Sequence, residues 1–409
     1  MSKHIFILGR EPQLSLAEIN SQLMATGQMV DWLAVEKSHV MLSANLSDVF
    51  FDQLAGSVKQ ADYIDKLPQE PLAIKEVLKS FLSKSGNPSY IFGFSWYGRR
   101  PPRWLKGVGL DLKKYFKNQG HRARLVVSRD NDLSSVVVDK NKLLPPHGFD
   151  FVFLPQSDGS LLLGRTVKVQ DFAAWSRRDY GRPARQAKVG MLPPKLARLM
   201  INLTAADKNE PLLDPFCGSG TVLQEAAGLG YINLWGSDID KRGIDRTSAN
   251  LSWLKKELPS NSFIWNLQAI DVRQLTKFTA QQTFAAIVTE PYLGPPLRDQ
   301  ESAADLESIQ KELGQFYGQV LKILYTVLKP DGRLVMVWPA WRLSQEQYLF
   351  LNLVDKIKET GFRVVNLLPT KAPSTWLTGR GSFLYQRPDQ KVAREIWVLE
   401  KNLKKNCDS

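Results

Sequence analysis

One stretch limits what this chain can fold into more than any other. Leu212-Leu-Asp-Pro-Phe-Cys-Gly-Ser-Gly-Thr-Val-Leu-Gln-Glu225 passes from a short apolar run through a glycine-rich turn into a helical pattern. Strand, tight turn and helix in that order open a parallel α/β sheet with crossover helices, and alternating helix and strand patterns continue after Met191. Gly218 and Gly220 permit dihedrals closed to other residues and let a ligand approach the main chain. Thr221 and the amides after it fall at a helix N-terminus, where a carboxylate or phosphate is favoured. The turn is neither a Walker A loop, lacking Gly-Lys-Thr, nor the full dinucleotide fingerprint.

The segments that follow narrow the chemistry. Leu234-Trp-Gly-Ser-Asp-Ile-Asp240 reads as a second strand ending in acids, and a carboxylate there can accept both ribose hydroxyls of an adenosyl group. Asp238, directly after Gly-Ser, is preferred for that role, with Asp240 the alternative. Ala269-Ile-Asp-Val272 sets Asp271 at the end of a third strand, suited to an adenine amino group or, more blandly, to a surface turn. Phe284-Ala-Ala-Ile-Val-Thr-Glu-Pro-Tyr292 is an apolar strand stopping at a Pro-aromatic pair, where a substrate would meet the cofactor. Asp214 alone could be a helix cap, but two glycines and Asp238 in step with it favour ligand binding. Cys217 inside the turn reads as a small packing residue.

Charge divides the chain. Its 409 residues hold 54 Lys and Arg against 41 acids, and residues 99–198 alone hold 21 basic and 8 acidic residues. The rest carries 33 of each sign, so the whole +13 excess sits in about a quarter of the length. That pattern suits a polyanion-binding module beside a neutral partner domain. Its elements read as α+β: a helix over 73–82, an apolar run 90–96, a basic helix with Leu105, Val108, Leu112 and Tyr115 at helical spacing, then strands at 122–127, 134–138, 151–154 and 161–164. Ahead of it, strands are expected at 4–8 and 35–42, and Ser15 with Glu18 reads as a capping box opening a helix. The stretch 167–190 shows no periodicity and reads as an ordered connector.

Other classes are set aside. Two cysteines, Cys217 and Cys407, leave no disulfide framework, and the scattered His4, His39, His121 and His147 suggest no metal site. No run approaches the roughly 20 apolar residues needed to span a bilayer, and the N-terminus has no cleavage signal. A cytoplasmic place without membrane contact is expected.

Asp214-Pro-Phe-Cys-Gly-Ser-Gly-Thr221, Gly236-Ser-Asp238 and the Pro-Tyr ending together resemble S-adenosylmethionine-dependent amino-group methyltransferases of nucleic acids. The basic half is similar to a THUMP RNA-binding domain. Arg178-Asp-Tyr-Gly-Arg-Pro183, Gly190-Met-Leu-Pro-Pro-Lys-Leu-Ala197 and Ile7-Leu-Gly-Arg-Glu-Pro-Gln-Leu-Ser15 resemble the tRNA guanine-N2 methyltransferases that join both parts, the type acting at guanosine ten. The resemblance runs from Ile5 to about Trp338. It implies a multidomain chain: a ferredoxin-like N-terminal region (1–66), a THUMP-like RNA-binding domain (67–166), a linker (167–190) and a Rossmann-like class I methyltransferase domain (191–409).

It also implies roles. S-adenosyl-L-methionine would be held by Asp214, Pro215, Gly218, Gly220, Thr221, Asp238, Ile239 and Asp271: Asp214 and the turn at the methionine end, Asp238 at the ribose, Asp271 at the adenine. Thr289, Glu290, Pro291 and Tyr292 would form the catalytic motif, in which the first side chain and a backbone carbonyl accept the target amino group while the ring stacks on the extruded base. The family pattern there is Asp/Asn/Ser-Pro-Pro-Tyr/Phe, so Thr289 and Glu290 depart from it, with Glu290 supplying the missing charge from the next position. tRNA is the expected partner, with other structured RNA possible and a small activator subunit left open. Arg99, Arg100, Arg103, Lys106, Arg122, Arg124, Arg177, Arg178, Arg182 and Arg185 are candidate phosphate contacts, recognising shape more than sequence. The alternatives are a methyltransferase of ribosomal RNA or of an adenine amino group, and a non-catalytic RNA-binding protein with a degenerate Thr-Glu-Pro-Tyr site.

Two later strands, 332–338 and 394–399, are expected, the second antiparallel at an edge and 361–367 between them.

Overall fold

The computed structural model describes residues 1–184, 191–259, 262–295, 303–344, 347–387 and 390–403. The chain divides into two compact units. Met1–Pro12, Gln28–Gln53 and Ser57–Ala174 make the first, and Gln13–Gly27, Leu54–Gly56 and Trp175–Ser409 make the second.

The first unit is built on one eight-stranded sheet. Its strands are β1 (Ser2–Leu8), β2 (Asp31–Val35), β3 (His39–Ala44), β4 (Ser57–Pro68), β5 (Ser89–Trp96), β6 (Arg122–Val126), β7 (Phe149–Pro155) and β8 (Ser160–Val169). The order is β2-β3-β1-β4-β8-β7-β5-β6. The first four follow the split β-α-β order of a ferredoxin-like part, and the long strand β4 carries the sheet on through its antiparallel pairing with β8. The expected strand over 35–42 is a hairpin, β2 and β3, closed by backbone bonds between Glu36 and His39. The expected strand over 134–138 is instead the helix Ser135–Lys140, because the Ser134 hydroxyl caps it by accepting the Val137 amide and outweighs the strand preference of three valines.

On the basic helix Arg103–Asn118, Leu105, Val108, Leu112 and Phe116 face the core. Phe116 takes the place expected of Tyr115, which is half-buried. Trp96 is buried edge-to-face against Trp104, so neither indole is a freely presented stacking surface. Across this sheet the fully buried ammonium of Lys59 meets Asp150 at 2.7 Å, and Ser95 and Thr166 donate to the same carboxylate. Such a pair persists in a core only because every polar atom finds a partner.

The second unit carries β9 (Leu212–Asp214), β10 (Asn233–Asp238), β11 (Ile264–Ala269), β12 (Phe284–Thr289), β13 (Leu328–Arg342), β14 (Tyr348–Phe350), β15 (Phe362–Val364), β16 (Phe383–Tyr385) and β17 (Val392–Lys401). The main order is β11-β10-β9-β12-β13-β17-β15. The pairs β11/β10, β10/β9, β9/β12 and β12/β13 are parallel, and β17 runs antiparallel to β13. β17 is therefore interior, not at an edge, and β15 (within the expected 361–367) lies beyond it, not between it and β13. The reversed direction of β17 sends its first residues to the edge where β9–β12 end.

Apolar residues fill both faces. One layer gathers Leu196, Met200, Leu223 and Ala227 under β9, β10 and β12, and the other gathers Tyr317, Leu321, Trp338 and Trp397. The helix Pro12–Ala25 packs within this unit and starts three residues before the expected capping box. Ser15 is buried and donates to Gly56 O, while Glu18 accepts the Ala55 and Gly56 amides and the Asn202 amide group. The Ser-x-x-Glu pair anchors the helix inward, and Pro12 starts it with a preset φ.

Candidate active site

The parallel strands deliver carboxylates to one edge. Asp214 is the last residue of β9 and Asp238 the last of β10. The chain after Asp214 makes the glycine-rich turn, with Gly218 at φ 52° and Gly220 at φ 80°, both left-handed. The turn is pinned from several sides. The Gly218 amide donates to Asp238 Oδ2 at 2.8 Å, Thr247 Oγ1 donates to Gly218 O, and Asn250 Nδ2 donates to Ser219 O. Pro215 is buried and its carbonyl accepts the Ser237 hydroxyl. A Cβ on Gly220 would stand 2.8 Å from Thr247, so only glycine fits; one on Gly218 would meet nothing within 4 Å, an open approach to the main chain. Cys217 is buried with its thiol pushed well up by desolvation, as a packing residue requires.

Asp240 does not compete with Asp238, since it caps the helix Lys241–Glu257 through the Arg242 amide. Ile239, between them, is 75% exposed and offers an apolar surface beside the Asp238 carboxylate. Asp271 reaches the same edge, where the Ile270 amide donates to Asp238 O. Arg273 engages both of its oxygens, through its amide, its Nε and its second guanidinium nitrogen. A carboxylate has about four acceptor positions, so one remains on Asp271.

Asp214 is enclosed. Its Oδ1 accepts the Phe216 amide at 3.1 Å and the Thr289 hydroxyl at 2.8 Å. Burial pushes its pKa to about 7, with the charges of Asp238 and Glu290 adding to the rise against those two hydrogen bonds. The charges of Asp238 and Glu290 thus both reach Asp214.

The chain after β12 departs from the sequence expectation. Thr289 is fully buried and its hydroxyl donates to Asp214, so burial keeps its remaining acceptor positions from a target amino group. Glu290, the first residue past the strand, has its carboxylate gripped by Arg394 and lies near enough to Asp214 for its charge to act there. Pro291 follows, and Tyr292 is 60% exposed while its carbonyl accepts the buried Tyr317 hydroxyl.

The connector supplies residues that sequence reasoning had assigned to RNA. It is helical over Phe172–Tyr180. Arg178 and Arg198 clasp the buried Glu225 at 3.0 and 2.8 Å, and Trp175 lies against both guanidinium groups. Arg182 is buried and donates to Thr221 Oγ1 at 2.9 Å, at the start of the helix Thr221–Leu229. Asn250 exchanges two bonds with the Ala184 backbone while holding Ser219. Arg178 and Arg182 are therefore not free to meet phosphate. Arg99, Arg100, Arg103, Lys106, Arg122, Arg124 and Arg177 are exposed, and Arg185 lies outside the described residues. Arg394, Thr247 and Asn250 were missed because each comes from a distant segment, and Thr247 and Asn250 lie in a helix rich in polar residues.

A parallel sheet with this order, an acid ending each of its first two strands and a pinned glycine turn defines the class: a Rossmann-like class I methyltransferase fold, that of S-adenosylmethionine-dependent enzymes. Residues 182–359 match the RMKL-like methyltransferase domain family. TrmN from Thermus thermophilus has the same fold, with a TM-score of 0.53 at 16% identity over 98% of this chain and 99% of that one.

A protein of Methanothermococcus thermolithotrophicus, described as a probable tRNA (guanine(10)-N2)-dimethyltransferase, is 34% identical over 142 residues, which are 34% of this chain and 77% of that one. The chain belongs to that family. The tRNA (guanine(10)-N2)-dimethyltransferase of Pyrococcus abyssi is 26% identical over 55% of this chain and 52% of its own; for that of Methanocaldococcus jannaschii the figures are 32%, 37% and 38%. The match thus spans about half or less of these two relatives.

Proposed function

We propose that the chain transfers a methyl group from S-adenosylmethionine to the exocyclic N2 of a guanosine in tRNA, of the position-ten type, in the cytoplasm. The observation that carries this reading is that Asp238 and Glu290, at the ends of β10 and β12, both lie near enough to Asp214 for their charges to act on it, with the exposed ring of Tyr292 two residues beyond Glu290. The names of the family's relatives supply the nucleoside. The first unit, with its exposed arginines and lysines, is read as the THUMP-like module that grasps RNA by its backbone.

The residues fit the cofactor. Asp238 keeps acceptor capacity for ribose hydroxyls, Ile239 offers its side chain to a purine face, and Asp271 keeps one position for an amino group. The open space before Gly218 admits a close approach, and the buried Arg182 guanidinium beside Thr221 places positive charge where a methionine carboxylate would lie. When bound, the cofactor supplies an electrophilic methyl group on a positively charged sulfur, which the acidic cleft favours. Glu290 and a backbone carbonyl after it accept the two N–H bonds of the target amine, which holds the nitrogen lone pair on line with the methyl carbon. The new N–C bond would form as the methyl–sulfur bond breaks, its electron pair staying on the sulfur of the departing neutral thioether, and the nitrogen would lose one proton. A carboxylate is base enough to take it, since the arylammonium formed on methylation is strongly acidic, and orientation and electrostatics carry most of the catalysis. Tyr292 stacks on the extruded base.

Incubation of the purified chain with unmodified tRNA and methyl-labelled cofactor, followed by nucleoside analysis, tests this. N2-methylguanosine or its dimethyl form is expected. Methyladenosine, or methylation of ribosomal RNA in preference to tRNA, would refute it.

A further inference from the structure

The family pattern around the target amine is stiffened by two prolines, and here a glutamate replaces one of them. A glutamate has three side-chain torsions to fix, so an acceptor at that position needs an outside restraint. The structure shows where it comes from. Arg394, near the start of β17, sends Nε to Glu290 Oε2 and a terminal nitrogen to Oε1 at 3.2 Å, the two-point fork that suits a carboxylate. The other terminal nitrogen of Arg394 donates to Gln390 Oε1 at 2.9 Å, which fixes the guanidinium in turn. The Arg394 side chain is 4% exposed and that of Glu290 12%.

The segment is held at its other residues as well. Thr289 bonds Asp214, and the Tyr292 carbonyl accepts the fully buried Tyr317 hydroxyl at 3.0 Å. Neighbouring Glu395 is fully buried on the opposite face of β17, where it meets Arg380 and Ser382, so successive residues of one strand serve separate partners. Only the antiparallel course of β17 brings Arg394 to the cleft.

We infer that Arg394 is a positioning residue of the methyl transfer: its guanidinium sets the angle and charge of Glu290, doing by an ion pair what the absent proline does by ring closure. This rests on the reading of Glu290 as the amine acceptor. It assigns Arg394 no contact with substrate.

The test compares wild type with Arg394→Met and Arg394→Lys, using full-length protein and unmodified tRNA. Arg394→Met should lower kcat by ~100-fold, the scale of a 1 Å misplacement. Its KM for tRNA and its affinity for S-adenosylmethionine, measured by calorimetry, should stay within about threefold. Arg394→Lys, which keeps the charge without the fork, should fall between the two in rate. An Arg394→Met enzyme with near-normal kcat overturns the inference. So does a rate loss that comes with lost cofactor affinity and no partial rescue by Arg394→Lys, which marks a purely structural pair. A wild-type chain that methylates no guanosine overturns instead the reading beneath it.

Discussion

Replacing Asp214 by asparagine keeps the side chain's shape and its acceptor for Phe216 and Thr289 but removes its charge. In the folded protein this carboxyl titrates at about 7 against 3.8 for an ordinary aspartate, chiefly because it is desolvated. A folded value raised above the unfolded one means that folding favours the protonated form. The associated stability is fully present below pH 3.8 and is lost as pH rises through 7. At about 1.4 kcal/mol per pH unit, the ionised buried carboxylate costs the empty protein roughly 4 kcal/mol at high pH. Urea denaturation without cofactor should therefore find Asp214→Asn close to wild type at pH 4 and more stable by up to roughly 4 kcal/mol at pH 8.

Cofactor binding should show the mirror image. A sulfonium prefers the ionised carboxylate, so the affinity of wild type for S-adenosylmethionine should rise about tenfold between pH 6 and pH 8 as Asp214 gives up its proton. The amino group of the ligand titrates in the same range, so S-adenosylhomocysteine, which has that amine but no sulfonium, provides the baseline. The excess slope for S-adenosylmethionine should vanish in Asp214→Asn. If wild type shows no excess slope, or if the variant keeps it, the electrostatic account of this cleft is wrong.

Two further outcomes follow from the geometry. Asp238→Ala removes the acceptor of the Gly218 amide together with the ribose acceptor, and should weaken cofactor binding by ~100-fold or more in calorimetry. Asp150→Asn strips the fully buried Lys59 ammonium of its counter-charge, and should destabilise the protein by about 3–5 kcal/mol in urea denaturation, with its sheet opening sooner in hydrogen exchange.

The local pattern of residues 212–225 was enough to place a strand, a left-handed glycine turn and a helix, and the acids ending β9 and β10 followed from their sequence positions. Those features depend on short-range constraints: a glycine at positive φ, a helix start, an apolar run of strand length. The basic stretch likewise declared itself as a charge excess. The sequence could not show which arginines of that stretch face outward. Arg178 and Arg182 look like their neighbours in sequence, and only tertiary packing turns them in, toward Glu225 and Thr221.

The end of β12 makes the same point. Read as letters, Thr289 takes the first place of the motif; folded, it lies inside the sheet bonded to Asp214, and Glu290 just past the strand pairs with Arg394. One residue of offset decides this, because side chains alternate faces along a strand. Arg394 stands 104 residues beyond its partner, and no local rule links the two. An antiparallel strand inserted among parallel ones brings them together, and strand order is a property of the whole sheet.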